Sequence, residues 1–248
     1  MVISALILLA IFVGACSQRI TGMGFALVSA PFLVLLLGPF PGVMVVNLCG
    51  IISSGFVLSR VWRSVEWKTC GWLVMFAVIG IIPGAWLASV VHPTALEITI
   101  GGLLIVALSI SILASKFADA ASPTLPNKMA AGFLSGAMNA AAGVGGPAVS
   151  VYAVATRWEQ RAFAATLQPY LLVVSVLSLT GKLILEPTGW PTIPIWLWAS
   201  MLGVLMAGVF VGDKLSHRVS PLTARRILIV LAYAGALATL IKGLVSLG

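Results

Sequence analysis

Gln18 and Asn139 are uncharged amides, each set four residues before a glycine, inside two apolar runs that share a pattern. The first run reads FVGACSQRITGMGFALVS from Phe12 to Ser29, and the second reads FLSGAMNAAAGVGGPAVS from Phe133 to Ser150. At a spacing of 121 residues Phe12 meets Phe133, Gly22 meets Gly143, Gly24 meets Gly145, Val28 meets Val149 and Ser29 meets Ser150. The same spacing pairs a second set of amides, Asn47 with Gln168. Glycines let a chain leave the helix at positive φ and let backbones approach closely. At membrane depth such a break survives only where protein or a wet cavity satisfies the freed N–H and C=O groups. The helix that resumes presents N–H groups carrying about half a unit of positive charge, an anion-binding arrangement. A neighbouring amide adds donors without the cost of burying a charge. A duplicated, glycine-broken helix is the sequence pointer to a transporter's substrate site.

The expected substrate-binding set is therefore Gln18, Arg19, Thr21, Gly22, Gly24, Asn47, Asn139, Gly143, Gly145, Gly146 and Gln168. The competing reading of the amides is that they tie helices together. Arg19 has two readings that stay open. A cation in the membrane interior marks a functional site, whereas a shallower break would let Arg19 snorkel to an interface. Its counterpart in the second run is Ala140, so the repeat gives no guidance.

Composition defines the solvent around these motifs. The chain has 248 residues, 60% hydrophobic and 8% charged, which leaves too little polar surface for a water-soluble fold. Mean hydropathy is +1.15. The segment Met1 to Leu9 has no basic n-region and runs into the first motif, so it is not expected to be a removable signal peptide. The net charge of +8 fits basic loops on one membrane face, and no basic run interleaves with aromatics, so no nucleic acid is expected. Cys16, Cys49 and Cys70 lack paired spacing and read as apolar packers, without disulfides or metal ligation.

The first half reads as an arm from Val2 to Cys16, a break over Ser17–Gly24, an arm to Leu37 and a turn over Gly38–Gly42. Spans follow over 43–58, 69–90 and 94–115, the last opened by a Thr94-x-x-Glu97 capping box. The stretch Lys116–Lys128 is the linker. The second half gives an arm to Ala137, a break over Asn139–Pro147 and an arm to Thr156, then spans over 162–185, 195–212 and 221–245. Lys182 and Glu186 read as an i,i+4 pair near a membrane face. His92 and His217 fall at helix ends, and most tryptophans near span boundaries.

Three spans per half is an odd number, so the halves must be inverted relative to each other. The expected fold is an all-α membrane protein of two inverted-topology repeats, each a glycine-broken helical hairpin plus three transmembrane helices. Residues 1–115 form the first repeat, 116–127 a cytoplasmic linker and 128–248 the second repeat. This count places Arg60, Arg63, Lys68, Lys116, Lys128, Arg157, Arg161, Lys214, Arg218, Arg225 and Arg226 on one side, eleven of the fourteen basic residues. That side is cytoplasmic and both termini are outside.

Through Gly22-Met23-Gly24, Pro31 and Gly143-Val144-Gly145-Gly146-Pro147 the chain resembles the sulfite exporter TauE/SafE family over nearly its whole length. The first copy departs from that pattern, with Phe25 where a further glycine is expected. The resemblance implies a bacterial inner-membrane transporter exporting sulfite or C2 organosulfonates such as sulfoacetate. Expected partners are a small anion and the lipid bilayer, with membrane potential or proton coupling as the driving force and a homodimer as the candidate assembly. No cofactor is expected. Alternatives are a transporter of another small anion, and an assembly subunit without its own substrate. An intramembrane enzyme would need a nucleophile–base pair or metal cluster, and the sequence offers none.

Overall fold

The computed structural model describes residues 2–21, 24–117, 122–216, 218 and 221–246. Among these the secondary structure is helical: α1 Val2–Thr21, α2 Gly24–Leu37, α3 Pro39–Val61, α4 Trp67–Val90, α5 Pro93–Phe117, α6 Leu125–Ala142, α7 Gly146–Ala155, α8 Gln160–Leu185, α9 Ile195–Ser216 and α10 Pro221–Val245. A short 3-10 turn, Trp62–Ser64, follows α3. Among the described residues seven helices are long and apolar enough to cross a membrane, α1 among them, while α2 and α7 are shorter. Large apolar side chains such as Ile79, Ile82, Val106, Phe210, Val230 and Ile241 stand exposed on the outside of the bundle, where lipid would cover them.

Helix ends differ from expectation where local chemistry permits the helix to continue. The turn expected over Gly38–Gly42 shrinks to Gly38, at φ 91, because Pro39 and Pro41 sit in the first turn of α3. Proline loses nothing there, since first-turn N–H groups have no helical partner. The first break is also narrower, with Ser17–Thr21 helical. Residues 22 and 23, including the expected site residue Gly22, lie outside the described residues. The second break contracts to 143–145, stopped by Gly143 in the left-handed region at φ 74, with its N–H donating to Asn139 O.

Asp213–Ser216 continue α9, and helix extends into both ends of the expected linker, with Lys116 in α5 and Leu125–Lys128 in α6. The Thr94–Glu97 capping box does not form, because α5 already begins at Pro93. Glu97 instead accepts from Lys242 Nζ at 2.7 Å. His92 lies at the bend before α5, and His217 is outside the described residues. The three cysteines are free and buried.

Small residues set the tightest helix contacts, as expected where lipid removes the hydrophobic drive between helices. A methyl added at Gly80 or Gly84 of α4 would overlap the carbonyls of Phe133 and Ala137 of α6. On the other side of the bundle, a methyl at Gly208 or Gly212 of α9 would come within 2.8 Å of the carbonyls of Phe12 and Cys16 of α1. α3 lies along α8, and α5 along α10. These contacts bring the ends of α1 and α6, where the chain breaks, against the α3–α8 pair.

Candidate functional site

The four amides converge and bond as two dyads. Gln18 Nε2 donates to Gln168 Oε1 at 3.2 Å and to Ser54 Oγ at 3.3 Å, while Ser53 Oγ donates to Gln18 Oε1 at 2.7 Å. Asn139 Nδ2 donates to Asn47 Oδ1 at 2.8 Å and to Ser178 Oγ at 3.0 Å. Asn47 and Gln168 use their own amide nitrogens on the helix, donating to Val43 O and Ala164 O, each at 3.0 Å. All four side chains are buried. Buried amides need such partners, because each unpaired donor would carry a desolvation penalty of about 1–3 kcal/mol.

Between the dyads lies a cavity of about 20 Å³, lined from both breaks by Gln18, Phe25 and Leu27 on one side and Asn139, Gly143 and Gly146 on the other. Ser54 and Ser175 complete its polar lining. That volume holds about one water molecule, so any larger guest requires the arms to part. The N-terminus of α7 opens on this cavity at Gly146, and a methyl there would meet nothing within 4 Å. Gly145 differs. Its added methyl would lie 2.8 Å from Ser135 Oγ and 2.9 Å from Ser135 O, so this glycine serves the contact between α6 and α7.

A larger cavity of about 930 Å³ reaches Gln18 and Gln168 from the end of the bundle that carries Arg60, Ser64, Arg157 and Arg161. Four arginines in its wall, Arg19 included, stand against two carboxylates, Glu159 in the wall and Asp213 paired with Arg19 and Arg60, so the vestibule is electropositive. Thr21 also lines it, with its hydroxyl donating to Ser17 O at 2.9 Å.

Arg19 is paired with a carboxylate. Its Nε donates to Asp213 Oδ1 at 2.7 Å, and Asp213 Oδ2 accepts from Arg60 Nη1 at 3.2 Å. One carboxylate thus bridges two guanidiniums and joins α1, α3 and α9. Lys182 corrects the expected pair with Glu186. It is fully buried, with Nζ 4.4 Å from the centre of the Phe40 ring, while Glu186 Oε1 accepts from Thr188. The i,i+4 spacing places two residues on one helix face, but packing of α8 against α3 turns this lysine inward.

Sequence reasoning missed Ser53, Ser54, Ser175 and Ser178, which bond or line the site. Ser54 and Ser175 are themselves related by 121 residues, a signal present in the sequence. Asp213 carried no such signal, being 194 residues from Arg19.

A family model described as sulfite exporter TauE/SafE matches residues 6–239. The chain belongs to that family. It is accordingly a multi-pass membrane protein of a family of transporters of sulfur anions such as sulfite. No curated protein and no solved structure gives a significant match.

Proposed function

We propose that this TauE/SafE chain is a secondary transporter that exports sulfite or a C2 organosulfonate such as sulfoacetate. The anion would pass through a site between the two broken helices. The observation that carries the reading is the cavity lined by residues of both breaks and by one amide of each dyad, Gln18 and Asn139. The anion enters the electropositive vestibule, reaches Gln18 and Gln168, and takes over amide hydrogens now given to neighbouring side chains. The α7 N-terminus adds partial positive charge. Neutral donors bind the anion at the centre without the cost of burying a charge beside the breaks.

Two inverted repeats, residues 1–115 and 128–248, account for how the contacts exchange. Gly80 and Gly84 abut Phe133 and Ala137, and Gly208 and Gly212 abut Phe12 and Cys16. Moving each glycine by 128 residues and each partner by 121 converts one set into the other. α2 has 14 residues and α7 has 10, giving lengths of about 21 and 15 Å at 1.5 Å per residue. Entering from opposite faces of a core about 30 Å thick, they would overlap near its middle. The basic end of the bundle is then cytoplasmic and both termini are outside, in a bacterial inner membrane. Proton coupling and a homodimer belong to the same proposal.

Amides that already donate to partners inside the protein also fit an assembly subunit without substrate. The vestibule leading to them favours transport. Apparent melting of the purified protein with sulfite, sulfate, thiosulfate, taurine, sulfoacetate and carboxylates tests this directly, because a ligand of the folded state raises it. No response to any sulfur anion would refute the proposal.

A further inference from the structure

The stripe of residues along the α3–α8 contact continues past the central amides. On α8 Gln168, Ser175 and Ser178 bond or line the site, and the same face reaches Lys182 one turn later. On α3 the matching face runs from Ser54 through Asn47 to Phe40. Lys182 and Phe40 therefore form the next layer beyond the Asn47–Asn139 dyad, about 6 Å of helix rise from Ser178.

Lys182 is 0% exposed, and its Nζ has no hydrogen-bond or ion-pair partner among the described residues. Its one polar complement is the face of Phe40, whose ring quadrupole favours a desolvated cation. Its three donor positions await an acceptor. A membrane-embedded cation of this kind marks a functional site.

We propose that Lys182 forms an exit-side anion site: an oxyanion released by the central amides pairs with its ammonium beneath Phe40 before leaving. The proposal rests on the export reading above and names the same small sulfur oxyanions as ligand. Phe40 stands in the first turn of α3, just after Gly38, so its movement would uncover the layer.

The test compares parent, Lys182→Met and Lys182→Arg for sulfite efflux from proteoliposomes and for melting with and without sulfite. Methionine keeps the apolar stem, so ligand-free melting should be unchanged or higher. The expected result is a loss of efflux of about tenfold or more in Lys182→Met, the scale of one charged hydrogen bond. Lys182→Arg should recover much of it, and sulfite should still raise the melting of both variants through the intact amides. Lys182→Met exporting at the parental rate overturns the proposal. So does loss of the sulfite melting shift together with efflux, which would mark a structural role. If Lys182→Met does not fold, Lys182→Gln is judged by the same two readouts. A parent that neither binds nor exports sulfite overturns the export reading as well, so the two failures are told apart.

Discussion

Asn139 Nδ2 lies 2.8 Å from Asn47 Oδ1, and the repeat-equivalent residues Gln18 and Gln168 are bonded to each other at 3.2 Å. The spacing that equates Gln18 with Asn139 also equates Asn47 with Gln168, so each dyad crosses between the halves. Each half supplies one amide near a break and one from the helix that supports the opposite break.

Asn139→Asp is the sharpest test of the central site. It is nearly isosteric, yet it sets a carboxylate where an anion should dock and removes the two hydrogens given to Asn47 and Ser178. The sulfite melting shift should disappear. Asn139→Ala should also lose it, with a stability cost of about 0.6–1.7 kcal/mol, as for other interhelical hydrogen bonds in membranes. A full sulfite shift in Asn139→Asp would place the anion elsewhere.

Glycine substitutions separate ligand space from packing. Gly146→Ala puts a methyl into open cavity, so it should slow transport with little change in melting. Gly145→Leu would collide with Ser135 and with the Asn139 Cβ, so its loss of transport should come with loss of folded protein. Gly143→Ala should cost about 1–2 kcal/mol, because φ 74 strains a residue with a Cβ. Transport by Gly146→Ala at the parental rate would show that the cavity is not on the path.

The spans were legible in the sequence because apolar length is a local property, and the second glycine break because glycine spacing is. The limits of the breaks were not. Ser17–Thr21 and Asn139–Ala142 stay helical, and in the second break only Gly143 takes a left-handed backbone, which a list of small residues does not reveal. The amide set was legible through repetition, whereas its mutual pairing needed the packing of α3 on α8. Lys182 was misread for the same reason. Its spacing to Glu186 describes a helix surface, and that surface proved to be an interior one.

Sidedness can be tested with single cysteines. With Cys16, Cys49 and Cys70 replaced by serine, Ser64→Cys should react from the cytoplasmic side and Ser246→Cys from outside. Ser64 lines the vestibule between basic loops, and Ser246 follows α10 at the opposite end. Labelling of both from one side would contradict the inverted arrangement.

Asp213 provides the electrostatic test. It holds Arg19 and Arg60 together at the vestibule, each of the three side chains a quarter to two-fifths exposed. Exposed pairs of this kind contribute about 0–1 kcal/mol each, so Asp213→Asn should fold with modestly lower melting. It also frees two guanidiniums on the wall of the cavity proposed as the anion's entrance. Removing one negative charge raises the local positive potential, so the KM for sulfite should fall at low ionic strength. Salt screens exposed charges over about 8 Å at 0.15 M, so the gain should shrink as salt rises. Arg19→Gln should act in the opposite sense, raising KM, because it removes a positive charge and leaves Asp213 paired with Arg60 alone. Measuring efflux for parent and both variants across a salt series decides it. Equal KM in all three at low salt would mean that this triad holds α1, α3 and α9 in place and has no part in drawing the anion in.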